Sequence, residues 1–333
     1  MSRTTIKDIA NALGINASTV SRALKDHPDI GKPLKEKIQA VADDLGYMPN
    51  QFASNLRTGR TFTIGLIVPE ISIFFFPSVM KAVEELTHDN GYRLLILHSS
   101  DKLEIEAESA KICAKYGVDG VLVSLSRQTV NLDHFRCLTD NKVPIVYYDK
   151  VPDRADTYNI SFDNEAAARN AVKHLLQSDK KPKRFAGIFG DKKLALSNTR
   201  GRLKGFKETL KENGYGEKDY DIVFADTVAE AAEVSKKLFD GPNRPDAVIT
   251  MGDDRLLGTS KTLLEMGMKV PDDIKMISLS DGFLTSTLAF KIPFVLTSGY
   301  EMGKIATSLL FDLIERRITE PESSFVETPV VID

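Results

Sequence analysis

Two periodicities divide the chain. Over the first 45 residues apolar positions recur at helical spacing: Ile6, Ile9, Ala10 and Leu13, then Val20, Ala23 and Leu24, then Leu34, Ile38, Val41, Ala42 and Leu45. Thr4 or Thr5 is placed to cap a first helix that Gly14 ends, Asn16 to cap a second, and Lys32 to Leu45 reads as a third. From Phe62 the pattern changes. The segments "TFTIGLIVP", "YRLLILHSS", "VDGVLVSLS" and "VPIVYYDK" are near-continuous apolar runs, as expected of strands buried on both faces, and amphipathic stretches separate them. The alternation resumes after about residue 160 with "KRFAGIFG", "YDIVFADT", "PDAVITMG" and "IKMISLS". This predicts a small all-α head followed by an α/β body of two doubly wound lobes.

Between head and body lies "YMPNQFASNLRTGR", residues 47–60. Phe52, Ala53 and Leu56 would share one face of a helix barely two turns long, which is marginal in water and has no core of its own.

Charge sharpens the division. Residues 1–60 hold nine Lys/Arg against six Asp/Glu, a net +3, whereas the remainder holds 35 against 41, a net −6. A basic head on an acidic body implies that the head alone meets a polyanion. The amphipathic N-terminus has no apolar stretch of signal-peptide type, and no run of 18 apolar residues occurs, so a cytoplasmic protein with no membrane partner is expected. The two cysteines, Cys113 and Cys137, lack metal-like spacing and read as reduced thiols.

In "TTIKDIANALGINASTVSRALKD" the packing of the first two helices leaves Ala17, Ser18, Thr19, Ser21 and Arg22 outside. Such a small, polar face suits a helix lying against a duplex. Its N-terminal amides and hydroxyls can hold phosphates, and Arg22 carries the planar fork that matches guanine O6 and N7 in the major groove. The alternative is a protein-binding helical hairpin.

"TIKDIANALGINASTVSRAL" followed by "YMPNQFASNLR" closely resembles the head of the lactose/galactose repressor (LacI/GalR) family of bacterial transcription regulators. The resemblance implies a helix-turn-helix domain over residues 1–46 and a hinge helix and linker over 47–61. Carried over by position, Ala17, Ser18 and Arg22 face base edges and Thr19, Ser21 and Asn50 face phosphates. Leu56 wedges into the minor groove near Arg57 and Arg60, and Thr5 and Ala53 complete the DNA-facing set.

The body resembles the periplasmic-binding-protein-like sensor of the same family, through "VPEISIFFF", "SFDNEAAARNAVKHLL", "NTRGRLKGF", "PDAVITMGDDRLLG" and "YEMGKIA". That implies lobes of residues 62–160 with 290–318, and 161–289 with 319–333. A small effector would bind between them at Phe75, Phe76, Asp149, Asn198, Arg202, Asp253, Ser280 and Asp281. A carboxylate and a forked arginine suit vicinal hydroxyls or a carboxylate, and the phenylalanines suit the face of a sugar or base ring. Each has a plainer reading: an interlobe salt bridge for Asp149 and Arg202, a helix cap for Asp253, and core packing for the phenylalanines. The chain departs from the family at Gly252, where Asn is usual, at Ser280, where Asp is usual, and at "IPFVLT", residues 292–297.

Catalytic motifs are lacking. There is no G-x-G-x-x-G after the first strand, no phosphate-binding G-x-x-x-x-G-K-[ST], no G-x-S-x-G and no H-E-x-x-H among the five histidines. An enzyme on the same fold, or a secreted sugar-binding protein, is the reading from another class, and no cofactor is implied. The expected function is a homodimeric repressor of a carbohydrate-utilisation operon, binding double-stranded operator DNA and switched by a small effector, a sugar or sugar derivative. An effector-dependent activator, or a regulator answering to a nucleobase or sugar phosphate, is the alternative. Family precedent offers the helix around Ser78 to His88 and the "FVLTSG" region as dimer surfaces.

Overall fold

The structure is a computed structural model, described here over residues 4–47, 60–71, 74–321 and 323–332. It divides into two compact units, residues 1–60 and 61–333. Asn50, Ala53, Leu56 and Arg57 lie outside the described residues.

In the first unit, α1 (Ile6–Leu13) starts where the Asp8 carboxylate accepts hydrogen bonds from the Thr5 amide and hydroxyl, both at 2.7 Å. Gly14 ends it at φ 65°, a left-handed conformation that glycine adopts without steric cost. Asn16 occupies the cap position of α2 (Ala17–Ala23), but it caps through its backbone carbonyl, with no side-chain hydrogen bond to the helix. α3 (Lys32–Asp44) closes a core of Ile9, Ala10, Val20, Ala23, Ile38 and Ala42.

The second unit contains two six-stranded sheets. The first comprises β1 (Thr63–Val68), β2 (Arg93–His98), β3 (Gly120–Val123), β4 (Ile145–Tyr148), β5 (Tyr158–Phe162) and β11 (Ser323–Val326), in the order β11-β5-β4-β3-β1-β2. The second comprises β6 (Phe185–Phe189), β7 (Tyr220–Phe224), β8 (Ala247–Thr250), β9 (Lys275–Ser280), β10 (Phe294–Leu296) and β12 (Val330–Val331), in the order β12-β10-β9-β8-β6-β7. All the pairings are parallel except β10 with β12.

Helices α4 (Phe75–Asp89), α5 (Leu103–Tyr116), α6 (Arg136–Thr139) and α11 (Gly299–Ile314) cover the first sheet. Helices α7 (Asn164–Leu176), α8 (Ser197–Glu212), α9 (Val228–Phe239) and α10 (Asp253–Glu265) cover the second. The apolar runs become strands because helices on both sheet faces bury them, as in β3, β4, β6 and β8, where every residue is buried. β2 departs from that expectation. It is an end strand, and Ile96 is 47% exposed.

Strand pairing also corrects the lobe boundaries. β10 extends the second sheet beside β9, with Val295 in the second lobe's core, so residues 290–296 do not belong to the first lobe. β11 pairs with β5 and places Val326 in the first core, so the first part of the tail does not belong to the second lobe. The chain therefore crosses between lobes three times, after β5, after β10 and after β11. The "FVLTSG" strand lies between two others with Phe294 and Val295 buried, and Val79 and Val83 of α4 point into their own lobe's core. Among the described residues no helix is long and apolar enough to cross a membrane.

Candidate functional site

Between the carboxyl ends of the two sheets lies a cavity of about 500 Å³. Phe75 and Phe76 occupy the first turn of α4, form its apolar wall with Phe162, and pack edge-on against one another at 5.2 Å. Phe76 also belongs to the core, so the wall is held rigidly.

Asp149 follows β4 in a left-handed backbone conformation, φ 56°. Its amide donates to the Ile160 carbonyl at 3.0 Å, which fixes the turn. Its buried carboxylate accepts a hydrogen bond from the Asn198 side chain in the first turn of α8, across the cleft. Burial raises the Asp149 pKa, and the charges of Lys150 and Arg202 oppose that rise. Arg202, one turn further along α8, donates from Nε to Asn164 Oδ1 at 2.8 Å and from Nη1 to the Met251 carbonyl at 3.1 Å. Burial lowers its pKa to about 10, although Asp149 acts in the opposite direction. Asp149 and Arg202 feel one another's charge without forming an ion pair among the described residues. The plain salt-bridge reading of this pair is therefore not what the structure shows.

Asp253 opens α10 and lines the cavity, accepting the Ser280 hydroxyl on Oδ1. Burial raises its pKa. Ser280 and Asp281 do not line the cavity. Ser280 props Asp253 from behind. The Asp281 carboxylate accepts the Gly299 amide at 2.6 Å, where the chain enters α11, and a hydrogen bond from the Ser78 side chain. β9 reaches the cavity wall through Leu279, and these two residues support the site from behind it.

Sequence reasoning missed Arg255, whose guanidinium lines the cavity. Its Nε is buried without a hydrogen-bond partner, and burial lowers its pKa. A Cβ on Gly252 would lie 2.4 Å from Arg255 Nη2, and Gly252 has φ 134° and ψ 165°, a region that essentially only glycine occupies. The departure at 252 thus has a structural counterpart: glycine there makes room for the Arg255 guanidinium. Also missed were Asp101, Arg127 and Asp226, which stand at the ends of β2, β3 and β7 and line the cavity. Their strand-end positions were the available signal.

On the head, Ser18 and Arg22 are exposed on α2, with Thr19 and Ser21 half-buried, and Thr5 is exposed at the start of α1. Ala17 differs from the expectation. It lies three residues before Val20 on the same helix face and packs partly against the core.

The model for "Bacterial regulatory proteins, lacI family" matches residues 5–50, and that for "Periplasmic binding protein domain" matches residues 64–317. The chain belongs to the lacI family of bacterial regulatory proteins. Its body is the family's periplasmic-binding-protein domain. It is 26% identical to catabolite control protein A of Priestia megaterium over 326 residues, 98% of this chain and 96% of that protein. It is 27% identical to the ribose operon repressor of Halalkalibacterium halodurans over 330 residues, 99% of this chain and 96% of that one. The crystal structure of the lac repressor dimer bound to operator and the anti-inducer ONPF shares its fold, with a TM-score of 0.86 at 19% identity, covering 99% of this chain and 98% of that one.

Proposed function

We propose that this chain is a cytoplasmic, homodimeric transcriptional repressor whose hold on operator DNA is switched by a small polar effector in the interlobe cleft. Relatives of nearly equal length are transcriptional regulators, including a ribose operon repressor, and the reading takes the chain to be a regulator and not an enzyme. The observation that carries the effector assignment is the facing pair Asp149 and Arg202. One is an acceptor locked by a left-handed turn and the other a donor fork anchored on its own lobe, and no ion pair joins them. A ligand with several hydroxyls can accept from Arg202 and donate to Asp149 and Asp253 at once, with an apolar ring face against Phe75 and Phe76. That pattern fits a sugar or sugar derivative.

On the head, Arg22 and Ser18 are placed to read base edges, with Thr5, Thr19 and Ser21 on phosphates. One such helix covers few base pairs, so useful affinity requires two heads on a roughly palindromic site. Coupling follows from linkage: an effector shifts operator affinity only as far as it prefers one lobe arrangement over the other. A thermal-shift screen of sugars, sugar phosphates and nucleobases against the full chain tests the effector class. A neutral or phosphorylated sugar should raise the melting temperature, and stabilisation by nucleobases alone would overturn the carbohydrate reading.

A further inference from the structure

The three crossovers between lobes all sit toward one end of the sheets. On the first sheet they involve β5 and β11, the two strands at one end; on the second they involve β10 and β12, the two at one end, and α7, which packs on β9, β10 and β12. Opening about those crossovers would separate the opposite ends most, where β2 closes the first sheet and β7 the second.

At that far side the lobes meet through charge. Asp101 follows β2 with φ 56°, and its carboxylate accepts the Arg127 amide at 2.8 Å, the Arg127 Nε and the Lys150 ammonium at 3.2 Å. The segment carrying Arg127 is tied down again by Glu106 of α5. This fully buried carboxylate accepts the Ser126 amide at 2.6 Å and the Thr129 hydroxyl at 2.5 Å, and it bonds His134 Nε2 at 2.9 Å. So positioned, Arg127 Nη1 reaches Asp226 Oδ1 of the other lobe at 3.1 Å. Asp226 is also fixed in advance. Its Oδ1 accepts the Asp191 amide at 2.7 Å, and its own amide donates to Glu230 at 2.7 Å. Although burial acts to lower it, the carboxylates of Asp101 and Asp226 raise the Arg127 pKa and keep it charged.

Most surface ion pairs lose their Coulomb gain to the ordering of two free side chains. Here each partner is already held by its own lobe, so that loss is small. A second pair joins the lobes among the described residues, Arg200 with Asp153, but it is longer at 3.8 Å; Arg200 Nη1 is held by the Leu194 and Ala195 carbonyls of its own lobe, whereas Asp153 is almost fully exposed.

We propose that Arg127 and Asp226 form an electrostatic latch that holds the cleft closed on the side opposite the chain crossovers, setting the resting balance between closed and open lobes. Both groups line the rim of the same cavity, so the test is made without ligand and without DNA.

Spin labels on Val130→Cys in the first lobe and Lys192→Cys in the second, both exposed positions, report the interlobe distance in the full chain. Cys137→Ala removes the half-buried thiol, while Cys113 is fully buried, with a pKa raised to about 12, and stays unlabelled. Diluting labelled with unlabelled chain isolates the distance within one subunit. At low ionic strength the parent protein should show one short distance. A longer population should appear in Asp226→Asn, which keeps an acceptor for the Asp191 amide, and in Arg127→Gln, whereas Arg127→Lys should retain the short one. Salt near 1 M, where screening acts over about 3 Å, should lengthen the parent distance without any substitution. A distribution that neither the substitutions nor salt changes would overturn the latch.

Discussion

At Asp149 and Arg202, one residue's backbone and another's anchoring fix in advance the two groups proposed to hold the effector. Asp149 projects into the cleft because its backbone is left-handed after β4, and Arg202 is steered by Asn164 and the Met251 carbonyl. A hydrogen bond to a charged group contributes about 1.5–3 kcal/mol, so removing the guanidinium should weaken effector binding on the order of 10- to 100-fold. Arg202→Ala should therefore lose the thermal shift given by the best ligand of the screen while still binding operator. Retention of the full shift would remove Arg202 from the site. At Gly252 the argument concerns space and strain together. Gly252→Ala should destabilise the body by roughly 1–3 kcal/mol, since a side chain there adopts a region reserved for glycine. Adding Arg255→Ala should recover the part due to collision with the guanidinium and leave the backbone part, which urea denaturation of single and double variants can separate.

The elements carry the next predictions. α2 presents Arg22 and Ser18 outward because Val20 and Ala23 face the core. Arg22→Ala should cost about 1–3 kcal/mol of discrimination at one base position of each half-site, measured by competition between operator variants. An unchanged base preference would remove α2 from the groove. Burial pushes the carboxyl of Asp281, which accepts the Gly299 amide at the start of α11, up to about 6 from the ordinary 3.8. The folded state then holds this proton more tightly than the unfolded chain does. Its contribution is fully present below about pH 3.8 and is lost as pH rises through about 6. Asp281→Asn should flatten that dependence and be more stable than the parent above pH 6. Parallel pH-stability curves for the two proteins would contradict the assignment.

Helices α1 to α3 and most strands were legible because apolar spacing records which faces are buried. The lobe boundaries were not, since a strand as short as β10 or β11 shows its sheet only through a partner distant in sequence. Arg255 was hidden for a related reason: its role depends on the space above Gly252, which no spacing rule encodes.

At the scale of the molecule, a head that reads DNA is joined through residues 47–60 to a body whose two lobes enclose a polar cleft. The lobes can move relative to one another because only three chain crossings connect them, and Arg127 with Asp226 biases that motion. Effector binding and operator binding are then two readouts of one equilibrium, and each must alter the other by the same factor. The most direct test is the affinity of the full chain for an operator selected from a random duplex library, measured by fluorescence anisotropy with and without the sugar that most stabilises the protein. The dissociation constant should change at least about tenfold, equivalent to a coupling of about 1.4 kcal/mol, and the change should vanish in Arg202→Ala. An operator affinity that is the same with and without the saturating ligand would contradict the account.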